Sequence, residues 1–327
     1  MIVLGVESSC DETGVAIVKN GKTILSNVVA TSLKMHSKHG GVIPEIASRM
    51  QLESIASVYK EALKKAKIKS EQIDLISVTN NPGLPGSLLV GISFAKALAL
   101  GLNKPILGIN HIHSHIYANF LCHHHIKMPS VALIVSGGHT TLFYIKDFSK
   151  IQVLGETRDD ACGEAFDKVA KIMHLGYPGG PLIEKLAKGA NKNKIKFACS
   201  GTDQELDFSF SGIKTAVLYY LKDKKNSLKL QKDLAASFQE SALNTLIKKS
   251  MLACKRKKAK NFLIGGGVVA NSSLRQKFSA ECHKNKINCY YPEINLCMDN
   301  AAMVAGLANY LYKKGYRSNL NLNLVYN

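Results

Sequence analysis

Two histidines four residues apart, in the run Asn110-His111-Ile112-His113-Ser114-His115-Ile116, offer the most direct chemistry in this chain. On a helix, positions i and i+4 share a face with about 5–6 Å between their Cβ atoms, so the imidazoles of His111 and His115 can reach one metal ion. His113 points elsewhere. The competing reading is a pair of partly exposed histidines with no ligand. A helix is expected because Pro105-Ile106-Leu107-Gly108-Ile109 reads as a short buried strand, and Asn110 after it is suited to an N-cap.

Other stretches offer oxygen atoms or bare backbone. Ser8, Ser9, Asp11 and Thr13 surround the turn Cys10-Asp11-Glu12-Thr13, which is either a place to meet a phosphate or its metal, or an ordinary Asx-type turn. Asn80-Asn81-Pro82-Gly83-Leu84-Pro85-Gly86-Ser87 joins a strand to a helix with neither Walker nor Rossmann spacing. Gly176-Tyr177-Pro178-Gly179-Gly180-Pro181 is a sharp loop where backbone can approach a ligand. Gly265-Gly266-Gly267-Val268-Val269-Ala270-Asn271, between a strand and a helix, is a nucleotide signal, since helix N–H groups would face an anion. Asp299 at the entry to the last helix can be its N-cap.

The elements that must position these residues follow from periodicity. Strands are expected at 2–9, 14–19 and 23–30, then a polar loop from His36 to Gly41 and a helix from Pro44 to about Lys67. A strand at 73–79, a helix at 87–101 and the histidine helix complete the first half. Around Pro129 the pattern restarts with strands at 131–135, 140–145 and 152–156, a helix at 161–174 begun by Asp159-Asp160 as caps, and helices at 230–258, 272–285 and 300–314. Two halves that each open with a three-stranded meander predict a duplicated α/β architecture with a ligand cleft between halves. Domains are expected at 1–129 and 130–299, with residues 300–327 packing back on the first.

Composition narrows the partners. A chain of 327 residues at 46% hydrophobic content supports two domains, and 43 Lys+Arg against 24 Asp+Glu give a net charge of +19. That excess favours a polyanion, nucleic acid first, or else reflects a lysine-rich background. The densest basic run, Lys248-Lys249 through Lys255-Arg256-Lys257-Lys258 and Lys260, is either a solvated helix end or an RNA phosphate track. The 8 cysteines form no C-x-x-C pair, which argues against a zinc ribbon or a disulfide framework. No basic and apolar leader opens the chain and no apolar run reaches the ~20 residues of a membrane span, so a cytoplasmic protein without membrane attachment is expected.

Taken in order, Gly5 to Thr13, Gly108 to His115, Val135-Ser136-Gly137-Gly138-His139-Thr140, Asp160 to Lys168, Gly176 to Pro181, Phe208-Ser209-Phe210-Ser211-Gly212 and Gly265 to Asn271 resemble the TsaD family of the actin/Hsp70/sugar-kinase superfamily, bacterial type. The departures are small: Ser114 where the family has Ala or Gly, Met298 and Ala301 around Asp299, and Gln51 where a histidine is common. The resemblance implies two actin-like, ribonuclease H-like domains. It also implies transfer of a threonylcarbamoyl group from threonylcarbamoyl-AMP to N6 of the adenosine beside the anticodon in tRNAs that read ANN codons. It implies an iron(II) or zinc ion on His111, His115 and Asp299, and the adenylate, or ATP or ADP, along Ile134, Val135, Ser136, Gly137 and Gly138. Asp167 and Gly180 would lie near the ribose, Asn271 near the base, and Asp11 with Glu12 would organise the chemistry. The implied partners are a smaller inactive paralogue, TsaB, and a P-loop ATPase, TsaE. A zinc protease, the family's old label, needs Glu beside the first histidine, and Ile112 stands there. A sugar or acetate kinase of the same superfamily would use Mg²⁺ on carboxylates and has no use for two histidines.

Overall fold

In the computed structural model every residue is described except 38–39, 223, 225–226 and 326–327. The chain forms two units, one built from residues 1–126 and 292–327 and the other from 127–291.

The first unit contains β1 (Ile2–Glu7), β2 (Glu12–Lys19), β3 (Thr23–Thr31), β4 (Leu75–Asn81) and β5 (Ile106–Asn110), with helices α1 (Leu33–Ser37), α2 (Pro44–Ala66), α3 (Pro85–Leu102) and α4 (His111–Cys122). Its sheet runs β3-β2-β1-β4-β5, antiparallel across the meander and parallel from β1 to β5. Val3 to Val6 are buried throughout, as a strand covered on both faces requires. α3 is long and apolar enough to cross a membrane by length and composition alone, but its Leu88, Ile92, Ala95 and Ala99 belong to the core of this unit.

The second unit repeats the plan with β6 (Ser130–Val135), β7 (Thr140–Asp147), β8 (Lys150–Glu156), β9 (Asn261–Gly265) and β10 (Asn288–Tyr290). Its sheet order, β8-β7-β6-β9-β10, and its strand directions are those of the first sheet. The duplication inferred from pattern is therefore a duplication of topology. Its helices are α5 (Cys162–Ile172), α6 (Gly179–Ala187), α7 (Ser211–Leu221), α8 (Leu228–Lys257) and α9 (Ser272–Lys284).

The last helix, α10 (Ala301–Lys313), packs on β1 of the first unit. Gly5 permits this approach, because a Cβ there would lie 2.3 Å from the carbonyl oxygen of Ala301. The chain re-enters the first unit at residue 292 rather than after 299, so Asp299 shares a unit with the histidine helix.

Several local expectations change. His36 lies in α1, fully buried, and its Nδ1 accepts from Ile43 N–H, so the polar loop does not begin there. Residues 38–39 of that expected loop fall outside the described residues. The loop at 176–181 runs into α6, since Gly179 and Gly180 occupy its first turn. Asp159 and Asp160 do not cap α5. That helix starts after Ala161, whose N–H donates to Glu164, while Asp159 accepts from the N–H groups of Phe210 and Ser211 at the start of α7. Asp160 pairs with Lys168 and Lys214. Asp299 is not the cap of α10 either. Asn300 takes that place and accepts from Met303 N–H.

Candidate active site

α4 begins where expected, with the side chain of Asn110 accepting from His113 N–H at 2.9 Å. Its histidines are not surface residues: His111 is 8% exposed and His115 1%. The reading of two partly exposed histidines therefore fails, and buried imidazoles need partners. Both Nε2 atoms turn to one oxygen, Asp299 Oδ1, at 3.5 Å from His111 and 3.0 Å from His115. The rings stand edge to face with centroids 4.6 Å apart.

These spacings suit a shared cation. Ligands about 2.0–2.2 Å from one ion, at tetrahedral or octahedral angles, lie roughly 3.0–3.5 Å from each other. Among the described residues this is the only cluster of three or more His, Cys, Asp or Glu with ligand atoms this close, all within 4.8 Å of one another. His115 Nδ1 is buried without a hydrogen-bond partner. Ser114 fits the helix by donating to His111 O at 2.6 Å. His113 lies outside the cluster, and burial lowers its pKa to about 4.

The site is rich in carboxylates, which a cation would balance. Glu7, at the end of β1, is fully buried and its Oε2 lies 3.0 Å from His111 Nδ1. Burial opposes its charge, yet His111 holds its pKa below the ordinary carboxylate value. Burial likewise opposes a charged His111, but Glu7 and then Asp299 outweigh it and raise the pKa to about 9. Burial, with Asp299 and Asp11, pushes Glu12 up to about 10.

The turn from Ser8 to Thr13 packs against this site. Ser8 Oγ donates to Ser87 O, Ser9 Oγ lies 3.1 Å from His111 Nδ1, and Thr13 Oγ1 accepts from Ser54. Asp11 and Glu12 are half-buried. Gln51, a departure from the family pattern, reaches this turn from α2: its Nε2 donates to the carbonyls of Cys10 and Glu12 at 2.9 and 3.0 Å. Sequence reasoning passed over Glu7, Thr79 and Gln51 as site residues. The available signal was an acid closing an otherwise apolar strand.

The second unit gathers the other expected residues around the ends of β6 and β9. Ile134 and Val135 are buried strand residues, and Ser136 to Gly138 form the turn after them. A Cβ at Gly137 or Gly138 would meet nothing within 4 Å, so backbone is open there. Asp167 Oδ1 accepts from Gly179 N–H at 2.7 Å and so ties α5 to the Gly179-Gly180 turn. Its pKa is raised by burial. Asn271 is buried, and its amide is already engaged as the N-cap of α9 and as a donor to Gln239 Oε1 at 2.8 Å. Beside Gly180 and Asn271 lies a cavity of about 670 Å³ lined by Pro181, Glu184, Lys188, Gln239 and Ser272. That volume suits a nucleotide-sized ligand. In the basic run of α8, Lys249 donates to Asp207 O, Arg256 pairs with Glu205 and Lys257 reaches Gln152. Lys248, Lys255, Lys258 and Lys260 are exposed.

Comparison with known proteins gives relatives along the whole chain. Residues 23–306 match the family model TsaD, tRNA N6-adenosine threonylcarbamoyltransferase. The tRNA N6-adenosine threonylcarbamoyltransferase of Clostridium kluyveri is 48% identical over 331 residues, 99% of this chain and 96% of that protein. Among solved structures, component A of the (R)-2-hydroxyglutaryl-CoA dehydratase of Acidaminococcus fermentans aligns with a TM-score of 0.57 at 14% identity, covering 96% of this chain and 98% of that one. T. kodakarensis HypF aligns at 0.65 and 15%, covering 96% and 48%. At such identities the two structures speak for the fold alone.

Proposed function

The chain belongs to the TsaD family, the tRNA N6-adenosine threonylcarbamoyltransferases, and we propose that it forms N6-threonylcarbamoyladenosine with a metal site in its first unit and an adenylate site in its second. The donor is threonylcarbamoyl-AMP and the acceptor the adenosine beside the anticodon of tRNAs that read ANN codons. As N6 bonds to the carbamoyl carbon, the bond from that carbon to the phosphate oxygen breaks, AMP leaves with the electron pair, and N6 gives up a proton.

His111, His115 and Asp299 hold the ion. When bound, iron(II) or zinc supplies Lewis acidity toward carbonyl and carboxylate oxygens at positions the protein leaves open. An exocyclic adenine amine is a weak nucleophile, so orientation supplies much of the rate. Asp11, with Glu12 beside it, takes the proton. In the second unit, backbone from Ile134 to Gly138 lies along the adenylate, Asp167 and the Gly179-Gly180 turn meet the ribose, and Asn271 with the adjoining cavity receives the base. An anticodon-loop base is already unpaired, and a net charge of +19 attracts the phosphates around it. By family membership the partners are TsaB and TsaE, and the compartment is the cytoplasm.

One observation carries the metal half of this reading: two buried Nε2 atoms converge on one oxygen of Asp299. The test is reconstitution with TsaB- and TsaE-type partners, an enzyme that makes the adenylate from threonine, bicarbonate and ATP, and tRNA, read out by nucleoside mass analysis. Wild type modifies the adenosine, and His111→Ala loses at least about 100-fold in rate. Full modification by His111→Ala would remove the metal role. A phosphorylated sugar with unmodified tRNA would favour the superfamily's kinase chemistry.

A further inference from the structure

We infer that Glu7 is a positioning residue for the metal: by accepting the Nδ1 proton of His111 it fixes the tautomer whose Nε2 lone pair faces Asp299. The inference rests on the metal reading of His111, His115 and Asp299 given above.

Glu7 is an acid where the fold needs none. It ends a core strand and is fully buried, a costly place for a carboxylate without partners. Both its oxygens are engaged. Oε1 accepts from Ser9 N–H at 2.7 Å, and Oε2 accepts from Thr79 Oγ1 at 2.6 Å and faces His111 Nδ1 at 3.0 Å. Thr79 sits on β4, the parallel neighbour of β1, so two strands and the turn after β1 hold the carboxylate still. When an ion displaces the Nε2 proton the ring keeps one N–H, and a carboxylate accepting at Nδ1 holds that proton there and leaves the lone pair on Nε2. That nitrogen lies 3.5 Å from Asp299 Oδ1. His115 has no such support, since its buried Nδ1 is without a hydrogen-bond partner. The two ligands are therefore unequal: Nδ1 of His111 is held by a carboxylate, and among the described residues Nδ1 of His115 has no hydrogen-bond partner.

Glu7→Gln isolates the effect, because it keeps volume and shape. Its amide cannot satisfy the same neighbours. With NH₂ toward His111, the ring must move its proton to Nε2 and lose the lone pair that faces the ion. With the carbonyl oxygen toward His111, NH₂ meets the Ser9 N–H.

The experiment is a Zn²⁺ titration of the tag-free, chelator-stripped full chain against a chromogenic competitor. It is paired with ¹⁵N-histidine spectra of the wild-type chain loaded with ¹¹³Cd²⁺, His111 being assigned by its loss in His111→Ala. The expected results are zinc binding about 10- to 100-fold weaker in Glu7→Gln, and cadmium coupling at His111 Nε2 with a protonated Nδ1. A Glu7→Gln protein with wild-type thermal unfolding and zinc affinity within about twofold of wild type would overturn the inference. So would cadmium coupling at His111 Nδ1, a result that needs no Glu7 variant to fold. Wild type that binds neither ion would overturn the metal reading itself, and this inference with it.

Discussion

Replacing Gly83 with alanine tests how the proposed metal site is buttressed from behind. A Cβ at Gly83 would lie 2.5 Å from Ser9 O, 2.8 Å from Ser9 Cβ and 3.0 Å from Ser9 Cα. Two of those three atoms are backbone, so no side-chain rotation relieves the overlap, and ordinary contact distance is about 3.5–4.0 Å between carbons. The turn must therefore part from the 83–84 loop by the better part of an ångström. That separation strains the Leu84 N–H to Ser9 O hydrogen bond, now 2.7 Å. Overpacking of this kind costs about 1–3 kcal/mol, and a weakened buried hydrogen bond adds about 0.5–1.5 kcal/mol, a total of about 1.5–4.5 kcal/mol. Ser9 touches His111 with its hydroxyl and Glu7 with its N–H, so zinc affinity falls together with stability. Urea denaturation measures the first and competitor titration the second. Gly101→Ala in the last turn of α3 is the control, because nothing lies within 4 Å of its Cβ, and it gains about 0.5–1 kcal/mol. If Gly83→Ala loses less than about 0.5 kcal/mol and keeps wild-type zinc affinity, the buttress does not exist.

Asp299→Asn removes the charge that both histidines share, and zinc affinity is expected to drop more than about 100-fold by the same titration. Asp167→Ala frees the Gly179-Gly180 turn and weakens AMP binding about 10- to 100-fold by calorimetry, the value of about 1.5–3 kcal/mol for a hydrogen bond to a charged acceptor. Asp159 has its pKa held low because hydrogen bonds from Ser209, Ser211 and the N–H groups at the start of α7 outweigh the burial that would raise it. Its contribution is complete above the unfolded pKa of about 3.9 and is lost as pH falls through the lower folded value. Asp159→Asn is therefore expected to lower stability at pH 7 in urea denaturation, and the gap from wild type narrows below about pH 4.

The proposed metal ligands were legible for different reasons. His111 and His115 showed themselves by spacing, and Asn110 announced the helix that carries them. Asp299 read equally well as a cap until Asn300 was seen to take that role. Glu7 was hidden because its partner is His111, far along the chain, and its support crosses from β1 to β4. No local pattern encodes a pairing between strands. Gln51 stood out only as a departure from a family pattern, and its purpose, holding the carbonyls of Cys10 and Glu12, depends on how α2 packs on the turn. The repeat was legible because a meander of alternating and continuous apolar runs is a local signal, whereas the order of the strands in each sheet came from the structure. The start of α6 was lost because Gly179, Gly180 and Pro181 carry weak helix propensity, and the Asp167 carboxylate that receives Gly179 N–H comes from another element.

The first unit is written in two instalments, and that has a consequence for its assembly on the ribosome. His115 and Asp299 are 184 residues apart in the chain. At about 5–20 residues per second, the histidines wait roughly 10–40 s for their carboxylate. The intervening 127–291 is one continuous stretch and can fold during that wait, whereas α4 lacks its α10 neighbour until the very end. A message cut short before codon 299 yields a chain with both imidazoles and no third ligand. The proposed three-ligand site is therefore complete only once Asp299 has been made.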